Sequence, residues 1–308
     1  MHKIFRQAAF AVMALAAATS CDTKEYETLE SGVQYKYIEE GEGASPSHGK
    51  VVVMKFAYTA DDGDEFFSSS EMPNGNTVMV YDSTMMGQKG SIEEIISMMQ
   101  VGDSVEAKVG AETFFKKTFN MDQLPDTVKA EENITFNIRL VEVADQQEYA
   151  ERMSREQTQK DETAIEEYIA ENNMEGLEKT ESGLRYVITE EGDGPEVEQG
   201  DSVKINYTGY LLDGTVFDSS IEETAREAGV FMEGRPYEPI GLQYGITRFI
   251  PGWNEGIGYL SEGDKATLII PSALAYGNQR RSAQIGPNSI LVFELSVTEV
   301  KKNTDTAN

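Results

Sequence analysis

Residues able to support covalent or metal chemistry are scarce in this 308-residue chain. It contains two histidines, one cysteine (Cys21) and one tryptophan (Trp253). A structural zinc site takes four Cys or His ligands, more than the chain contains, and we expect neither a metal, a cofactor nor a Ser-His-Asp triad. We therefore look for non-covalent chemistry, and Trp253, which follows Pro-Gly, is the most conspicuous candidate.

The sequence carries one pattern twice, at an offset of 151 positions. Residues 30–69 align with residues 181–220 without a gap, and 15 of these 40 positions are identical. Solenoid repeats have periods of 20–50 residues, so a period of this length indicates two copies of a whole domain. A chain of this length can form two domains that each bury a core.

Four separated segments of the second copy form a set. They are GDSVKINYTGYLLDGTVFDSS (200–220), FIPGWNEGI (249–257), GDKATLIIPSALAYG (263–277) and GPNSILVFELSV (286–297). Together they resemble the FKBP-type peptidyl-prolyl cis-trans isomerases over nearly all of 183–300. The resemblance implies a twisted antiparallel sheet wrapped around one short helix, with the site in the hollow between them. We therefore predict an α+β chain of two FKBP-like domains joined by a long helical linker.

Isomerisation of an X–Pro bond is chemistry that needs no nucleophile or metal. The planar amide resists rotation with a barrier of about 18–20 kcal/mol, and uncatalysed exchange takes tens to hundreds of seconds. The planar form has the larger carbonyl dipole and is held more firmly by water. An aromatic cup that excludes water therefore favours the twisted state by differential binding.

The resemblance assigns roles in such a cup to residues of the second copy. It implies Trp253 as the floor under the proline ring, and the Ile250 N–H and Tyr276 hydroxyl as donors to substrate carbonyls. The catalytic residues it implies are Tyr207, Phe217, Asp218, Ile250, Trp253 and Tyr276. The further substrate-binding residues are Phe249, Phe293, Ile285 on the flap, and Ile240 and Leu242 at the pocket edge.

The first copy lacks the polar members of this set. Phe56 answers Tyr207, Phe67 answers Asp218, and Ile92 answers Trp253, while Phe136 answers Phe293 and Phe114-Phe115-Lys116 answers Ala275-Tyr276-Gly277. The apolar frame is kept and the polar groups are lost. We interpret this copy as a degenerate domain with weak or no activity; the alternative is a working isomerase with a different pocket.

The N-terminus has the pattern of a bacterial lipoprotein. Residues 1–20 combine a charged start with a short apolar stretch and small residues directly before Cys21. This is a signal peptide, and Cys21 resembles the cysteine that lipoproteins acylate. We expect a membrane anchor on Cys21 in the bacterial cell envelope, at the outer membrane and facing the periplasm or the surface. The alternative is an ordinary secretory signal with a chance cysteine.

The remaining boundaries follow from composition. We predict a tether at 21–28, the first domain at 29–144, a linker at 145–179, the second domain at 180–302 and a tail at 303–308. Residues 145–174 lack Pro and Gly, and their apolar residues sit at the two ends, which favours a solvent-bridging helix with a polar middle at 154–163. The alternative is a flexible charged linker.

Charge and insertions bear on partners. The formal net charge of −28 disfavours nucleic acid, and the resemblance implies proline-containing polypeptides as clients. An insertion at 221–236 could cap the pocket, recruit substrate or cover the sheet. Arg280 and Arg281 form a basic pair that is either a solvated loop or a contact for acidic clients. We predict an isomerase that assists the folding of envelope or secreted proteins; the alternative is a peptide-binding chaperone, or an interaction lipoprotein similar to those linked with gliding motility.

Overall fold

The computed structural model describes most of the chain outside the N-terminal segment. The described residues are 25–60, 63, 65–72, 74–84, 89–118, 121, 123–124, 128–129 and 131–303. The predicted signal peptide and Cys21 lie outside them. The chain divides into two compact units, Met1–Ala150 and Glu151–Asn308. Among the described residues, no helix combines the length and the apolar composition needed to cross a membrane.

The first unit is an antiparallel sheet with two short helices. Its strands are β1 (Glu27–Thr28), β2 (Gln34–Glu39), β3 (Val51–Ala60), β4 (Glu65–Ser68), β5 (Thr77–Val80), β6 (Ser104–Gly110) and β7 (Asn133–Ala144). Its helices are α1 (Ile92–Met98) and α2 (Ala111–Thr118). The strand order is β1-β2-β6-β7-β3-β4, and β5 pairs with β3.

Period-two burial explains this sheet. In β6, Val105, Ala107 and Val109 are buried and alternate with residues that are partly exposed. Side chains alternate between the two faces of a strand, so one face of the sheet is apolar and requires cover. Helix α1 supplies it with Ile92, Ile95 and Ile96, all in the same core cluster.

A long helix follows β7. Helix α3 (Gln146–Glu171) confirms the predicted helical linker. Its polar middle is not solvated on every side as we predicted, because Asp161 is only 3% exposed and accepts a hydrogen bond from the Ser272 N–H within the second unit. A side-chain pattern cannot show this, since the partner, Ser272, is 111 positions away.

The second unit repeats the first sheet. Its strands are β8 (Glu178–Lys179), β9 (Arg185–Glu190), β10 (Ser202–Leu211), β11 (Val216–Ser219), β12 (Ile240–Gln243), β13 (Lys265–Ile270) and β14 (Leu291–Lys301). Its short helices are α4 (Glu222–Glu227) and α5 (Pro251–Ile257). The order is β8-β9-β13-β14-β10-β11, and β12 pairs with β10.

The two sheets have the same order at every position, with antiparallel pairing throughout. The α+β architecture with two such domains is therefore confirmed. Two details differ from the prediction. Helices α2 and α4 add to the single short helix expected of each domain, and strands β1 and β8 pair within the sheets although they lie before positions 29 and 180.

Helix α5 lies very close to β13. A Cβ on Gly252 would stand 2.4 Å from Ile270, and a Cβ on Gly256 would stand 2.4 Å from Leu268. Positions four apart share one helix face, so these glycines form a flat strip that permits the approach. The strip fixes the start of α5, and with it Trp253, against the sheet.

Candidate functional site

A cavity of about 580 Å³ opens in the second unit beside the start of α5. Strands β10, β11, β12 and β14 and the loops around Phe249 and Tyr276 contribute to it. Its lining residues are Tyr207, Phe217, Asp218, Ile240, Arg248, Phe249, Ile250, Pro251, Trp253, Ala275, Tyr276, Arg281 and Phe293. Its size suits a small ring or a short peptide segment.

Trp253 is the centre of the aromatic wall. Its side chain is 3% exposed, and its ring lies 5.3 Å from Tyr207, 5.3 Å from Phe249 and 5.1 Å from Phe293, measured between centroids. Phe249 stacks on it at 28°, while the other two rings meet it edge-on at 84° and 80°. These are favourable aromatic geometries, so the wall is rigid as well as apolar.

One polar network borders this wall. The Tyr207 hydroxyl donates to Asp218 Oδ2 at 2.5 Å. The Arg235 guanidinium donates to both Asp218 oxygens and, at 3.0 Å, to the Tyr207 hydroxyl oxygen. Burial, and then the hydrogen bond to Asp218, raise the pKa of Tyr207 to about 12. The same carboxylate raises the pKa of Arg235. The raised pKa keeps Tyr207 protonated well above neutral pH, and Arg235 balances the charge of the one carboxylate among the lining residues.

Sequence reasoning missed Arg235. The residue lies in the 221–236 insertion, and its guanidinium returns to Asp218 across 17 positions. Its side chain is 22% exposed and that of Asp218 is 33% exposed, so the pair is partly shielded from water. The insertion therefore supplies a counter-ion to the site. The sequence offered one signal for this role, namely an arginine in the insertion that follows Asp218.

Three hydrogen-bond donors at the cavity are unused. Among the described residues, the Ile250 amide and the Tyr276 hydroxyl have no hydrogen-bond partner. The indole N–H of Trp253 is buried and likewise has no partner in the described part of the chain. Ile250 directly precedes α5, and its backbone is extended, so its amide lies outside the helical hydrogen bonds. The Ile250 amide and the Tyr276 hydroxyl can donate to a bound ligand, whereas the indole N–H is buried.

The structure brings nine of the eleven residues singled out by sequence to this cavity. They are Tyr207, Phe217, Asp218, Ile240, Phe249, Ile250, Trp253, Tyr276 and Phe293. Leu242 and Ile285 do not line it: both are buried in the core, at 6% and 5% exposure. Leu242 lies two positions after Ile240 on β12, and its side chain packs in the core cluster instead of lining the cavity. Arg248, Pro251, Ala275 and Arg281 were not anticipated as lining residues.

The equivalent region of the first unit is filled by its own side chains. Gly209 pairs with Asp218 and Phe293 in the second sheet, and Tyr58 pairs with Phe67 and Phe136 at the same register in the first. A Cβ on Gly209 would stand 2.6 Å from the rings of Phe217 and Phe293. The first unit thus has a tyrosine at a position where the aromatic wall of the second unit leaves no room for a side chain.

Tyr58 packs within an aromatic cluster. Its ring lies 5.4–5.8 Å from those of Phe67, Phe114 and Phe136. Helix α2 places Phe114 and Phe115 where the second unit has a 3-10 turn, Ser272–Leu274, and then Ala275 and Tyr276. Phe114 is 2% exposed and Phe136 is fully buried. Tyr58, Phe67 and Phe136 of this cluster stand at the register positions of Gly209, Asp218 and Phe293 in the second unit.

Comparison with known proteins points to the second unit. A family model described as FKBP-type peptidyl-prolyl cis-trans isomerase matches residues 194–298. Over 136 residues the chain is 39% identical to a probable FKBP-type peptidyl-prolyl cis-trans isomerase FkpA of Neisseria meningitidis. This match covers 44% of this chain and 44% of the relative. It is also 37% identical over 131 residues to FK506-binding protein 2 of Yarrowia lipolytica, covering 42% of this chain and 82% of that relative.

A solved structure is also similar. The crystal structure of FkpA from Escherichia coli matches with 30% identity and a TM-score of 0.37, covering 49% of this chain and 64% of that chain. The chain spans less than half the length of the bacterial relative from Neisseria that it matches.

Proposed function

Because the chain belongs to the FKBP-type peptidyl-prolyl cis-trans isomerases, we propose that its second unit isomerises X–Pro bonds in the cavity at Trp253. The observation that carries the proposal is the joint presence of a rigid aromatic wall and unused donors in one cavity. Substrate proline lies against Trp253. The Ile250 amide and the Tyr276 hydroxyl bind carbonyls of the same peptide.

Catalysis in this arrangement comes from exclusion of water. The planar X–Pro amide loses its hydration in the aromatic cup, while the twisted form, with the smaller dipole, loses less. A reduction of the barrier by about 5 kcal/mol would accelerate exchange several thousandfold. Asp218 acts through Tyr207: its carboxylate, neutralised by Arg235, orients the hydroxyl and keeps this wall fixed.

The first unit retains the fold but not this site. Tyr58 occupies the position of Gly209, and the positions of Trp253 and Asp218 hold Ile92 and Phe67. In the described part of the first unit, Tyr58 packs against Phe67 and Phe136, so these rings are occupied by one another. We assign it a role in binding or assembly, without isomerase activity.

The biological role follows from the N-terminus. A signal peptide that ends at Cys21 supports export and acylation, which would tether the isomerase to the cell envelope. Two acyl signals are needed for stable attachment to a bilayer, which an acylated N-terminal cysteine supplies. The clients would be proline-containing polypeptides that fold in the envelope or after secretion.

The activity is tested on the full chain with a proline-containing peptide. Trp253→Ala should lower kcat/KM at least about tenfold, because it removes the floor that strips water from the proline ring. Ile92→Ala is the matched control, since Ile92 holds the equivalent position in α1 and is equally buried. It should cost stability in the first unit and leave activity unchanged.

Loss of a buried tryptophan costs about 3–5 kcal/mol of stability, so a second variant is required. Tyr276→Phe removes only a hydroxyl that has no partner among the described residues. It should reduce kcat/KM several-fold with an unchanged urea midpoint. Full activity in both variants, or no activity in the folded wild-type chain, would refute the proposal.

A further inference from the structure

Where β13 pairs with β14, the outer face of the second sheet carries an apolar pair that is polar in the first sheet. Ile269 pairs with Val292 across β13 and β14, and both are fully buried. At the same register of β6 and β7, the first unit pairs Lys108 with Thr135, and both are partly exposed. Two copies of one sheet therefore differ in what their outer faces require. At this register only the second sheet requires cover.

Helix α3 covers this apolar pair. Ile165 is fully buried and forms a cluster with Ile269, Ile290 and Val292, separate from the core around α5. Tyr168 and Ile169, one turn further along, pack against the same cluster. The C-terminal half of α3 is thus part of the second unit's packing and not only a connection.

A buried cation strengthens the contact. The Arg185 side chain is 4% exposed and donates to Glu162 Oε1 at 2.6 Å and to Glu166 Oε1 at 2.8 Å, both on α3. The first unit has the exposed Gln34 at the equivalent position. A guanidinium held out of water is costly without its partners, so the second sheet requires the carboxylates of α3.

Asp161 links α3 to the cavity. Its Oδ2 accepts the Ser272 N–H at 2.8 Å, and its Oδ1 accepts the Gln157 side-chain amide at 2.6 Å. Ser272 begins the 3-10 turn, and its carbonyl accepts the N–H groups of Ala275 and Gly277. The turn therefore sets the position of Tyr276, which lies between them and lines the cavity.

The first unit satisfies the equivalent amide differently. Ala111, at the position of Ser272, donates its N–H to the main-chain oxygen of Glu132 at 2.9 Å. In the second unit a side chain from α3 replaces that main-chain acceptor. A charged acceptor makes a stronger bond than a neutral carbonyl, and its removal leaves a buried donor unsatisfied.

We propose that Asp161 is a positioning residue of the isomerase site, and that the second half of α3 belongs to the catalytic unit. Asp161 holds the Ser272 turn, and the turn places the Tyr276 hydroxyl for its bond to substrate. The inference rests on the proposed function of the second unit. It implies that the functional boundary lies within α3, before Gln157, and not at residue 180.

The test compares variants of the full chain with an X–Pro peptide. Asp161→Leu removes the acceptor and should lower kcat/KM at least about fivefold, because small displacements of a binding group are costly in rate. Asp161→Asn keeps an acceptor oxygen and should restore activity to within about twofold of wild type. Lys160→Ala, on an exposed neighbouring position, is the control and should leave activity unchanged.

The decisive measurement is the dependence on Tyr276. In a Tyr276→Phe background, Asp161→Leu should cause little further loss, because the group that it positions is already gone. If Asp161→Leu does not fold, Gln157→Leu, which weakens the hold on the carboxylate, should show the same dependence at smaller size. Equal losses with and without the Tyr276 hydroxyl overturn the inference, as does full activity of Asp161→Leu. An inactive wild-type chain would instead refute the proposed function.

Discussion

Replacement of Tyr207 by phenylalanine tests the polar network at the cavity wall. At pH 8 the substitution removes a hydrogen bond of 2.5 Å to a charged acceptor in a side chain that is only 8% exposed. Such a bond contributes about 1.5–3 kcal/mol, so we expect a loss of about 2 kcal/mol in the free energy of unfolding. Asp218 keeps Arg235 as its partner, which limits the cost.

The same variant should change how stability depends on pH. The pKa of Tyr207 is raised to about 12 in the folded chain, against about 10 in an unfolded chain. Below pH 10 the tyrosine is protonated in both states, and its stabilisation is fully present. Between pH 10 and 12 only the folded chain keeps the proton, so this group lowers wild-type stability by about 1.4 kcal/mol per pH unit.

Phenylalanine has no proton to lose. The stability difference between wild type and variant should therefore shrink by up to about 2.7 kcal/mol between pH 10 and 12, and reach zero within that range. Other groups titrate there too, but they do so in both proteins and cancel in the difference. The advantage of the hydroxyl is confined to pH values below its folded pKa.

Urea unfolding measures this difference. Trp253 is the chain's one tryptophan and lies against Tyr207, so its fluorescence reports on the second unit alone. Tyr259→Phe, at a side chain with 46% exposure, is the control and should follow the wild-type curve. A difference that stays constant from pH 8 to 11.5 would refute the reasoning about burial and the Asp218 bond.

Two further substitutions probe the wall and its counter-ion. Gly209→Ala places a Cβ 2.6 Å from the rings of Phe217 and Phe293, so we expect a lower kcat/KM and a stability loss of about 1–3 kcal/mol. The control is Tyr58→Ala at the matching position of the first unit, which should leave kcat/KM unchanged. An active Gly209→Ala enzyme of normal stability would contradict the assigned packing. Arg235→Met should cost about 1–2 kcal/mol, below the cost of breaking a fully buried pair, and reduce kcat/KM, as urea unfolding and the peptide assay would show. Arg280→Met is its control; equal behaviour of the two variants would exclude the counter-ion role.

Much of the site could be predicted because its residues lie in four continuous segments. Trp253 after Pro-Gly, and Phe217-Asp218 at a strand end, keep their local context wherever the strands pair. The two predicted residues that do not line the cavity lie where local context is weakest. Leu242 follows a 16-residue insertion, and Ile285 lies in a loop whose path depends on bonds to Arg281 and Ser282.

The alignment of the two copies also carries information about the first unit. The 151-residue offset already aligned Tyr58 with Gly209. Its meaning depends on which face of β10 points at the cavity, and that face is defined by the rings of Phe217 and Phe293 around Gly209. A pairing register is needed before one glycine in a strand can be assigned to a pocket wall.

The sequence by itself determined the duplication, the α+β class and most of the aromatic wall, because these depend on strand periodicity and on residues adjacent in the chain. Only the tertiary structure shows the contacts from which we propose roles for Arg235 and Asp161. Both are charged residues in polar segments, where solvent exposure is the ordinary expectation. Each is held in the second unit by a long-range hydrogen bond, from Arg235 to Asp218 and from the Ser272 N–H to Asp161. Whether a charge is buried therefore depends on its partner in space and not on its neighbours in sequence.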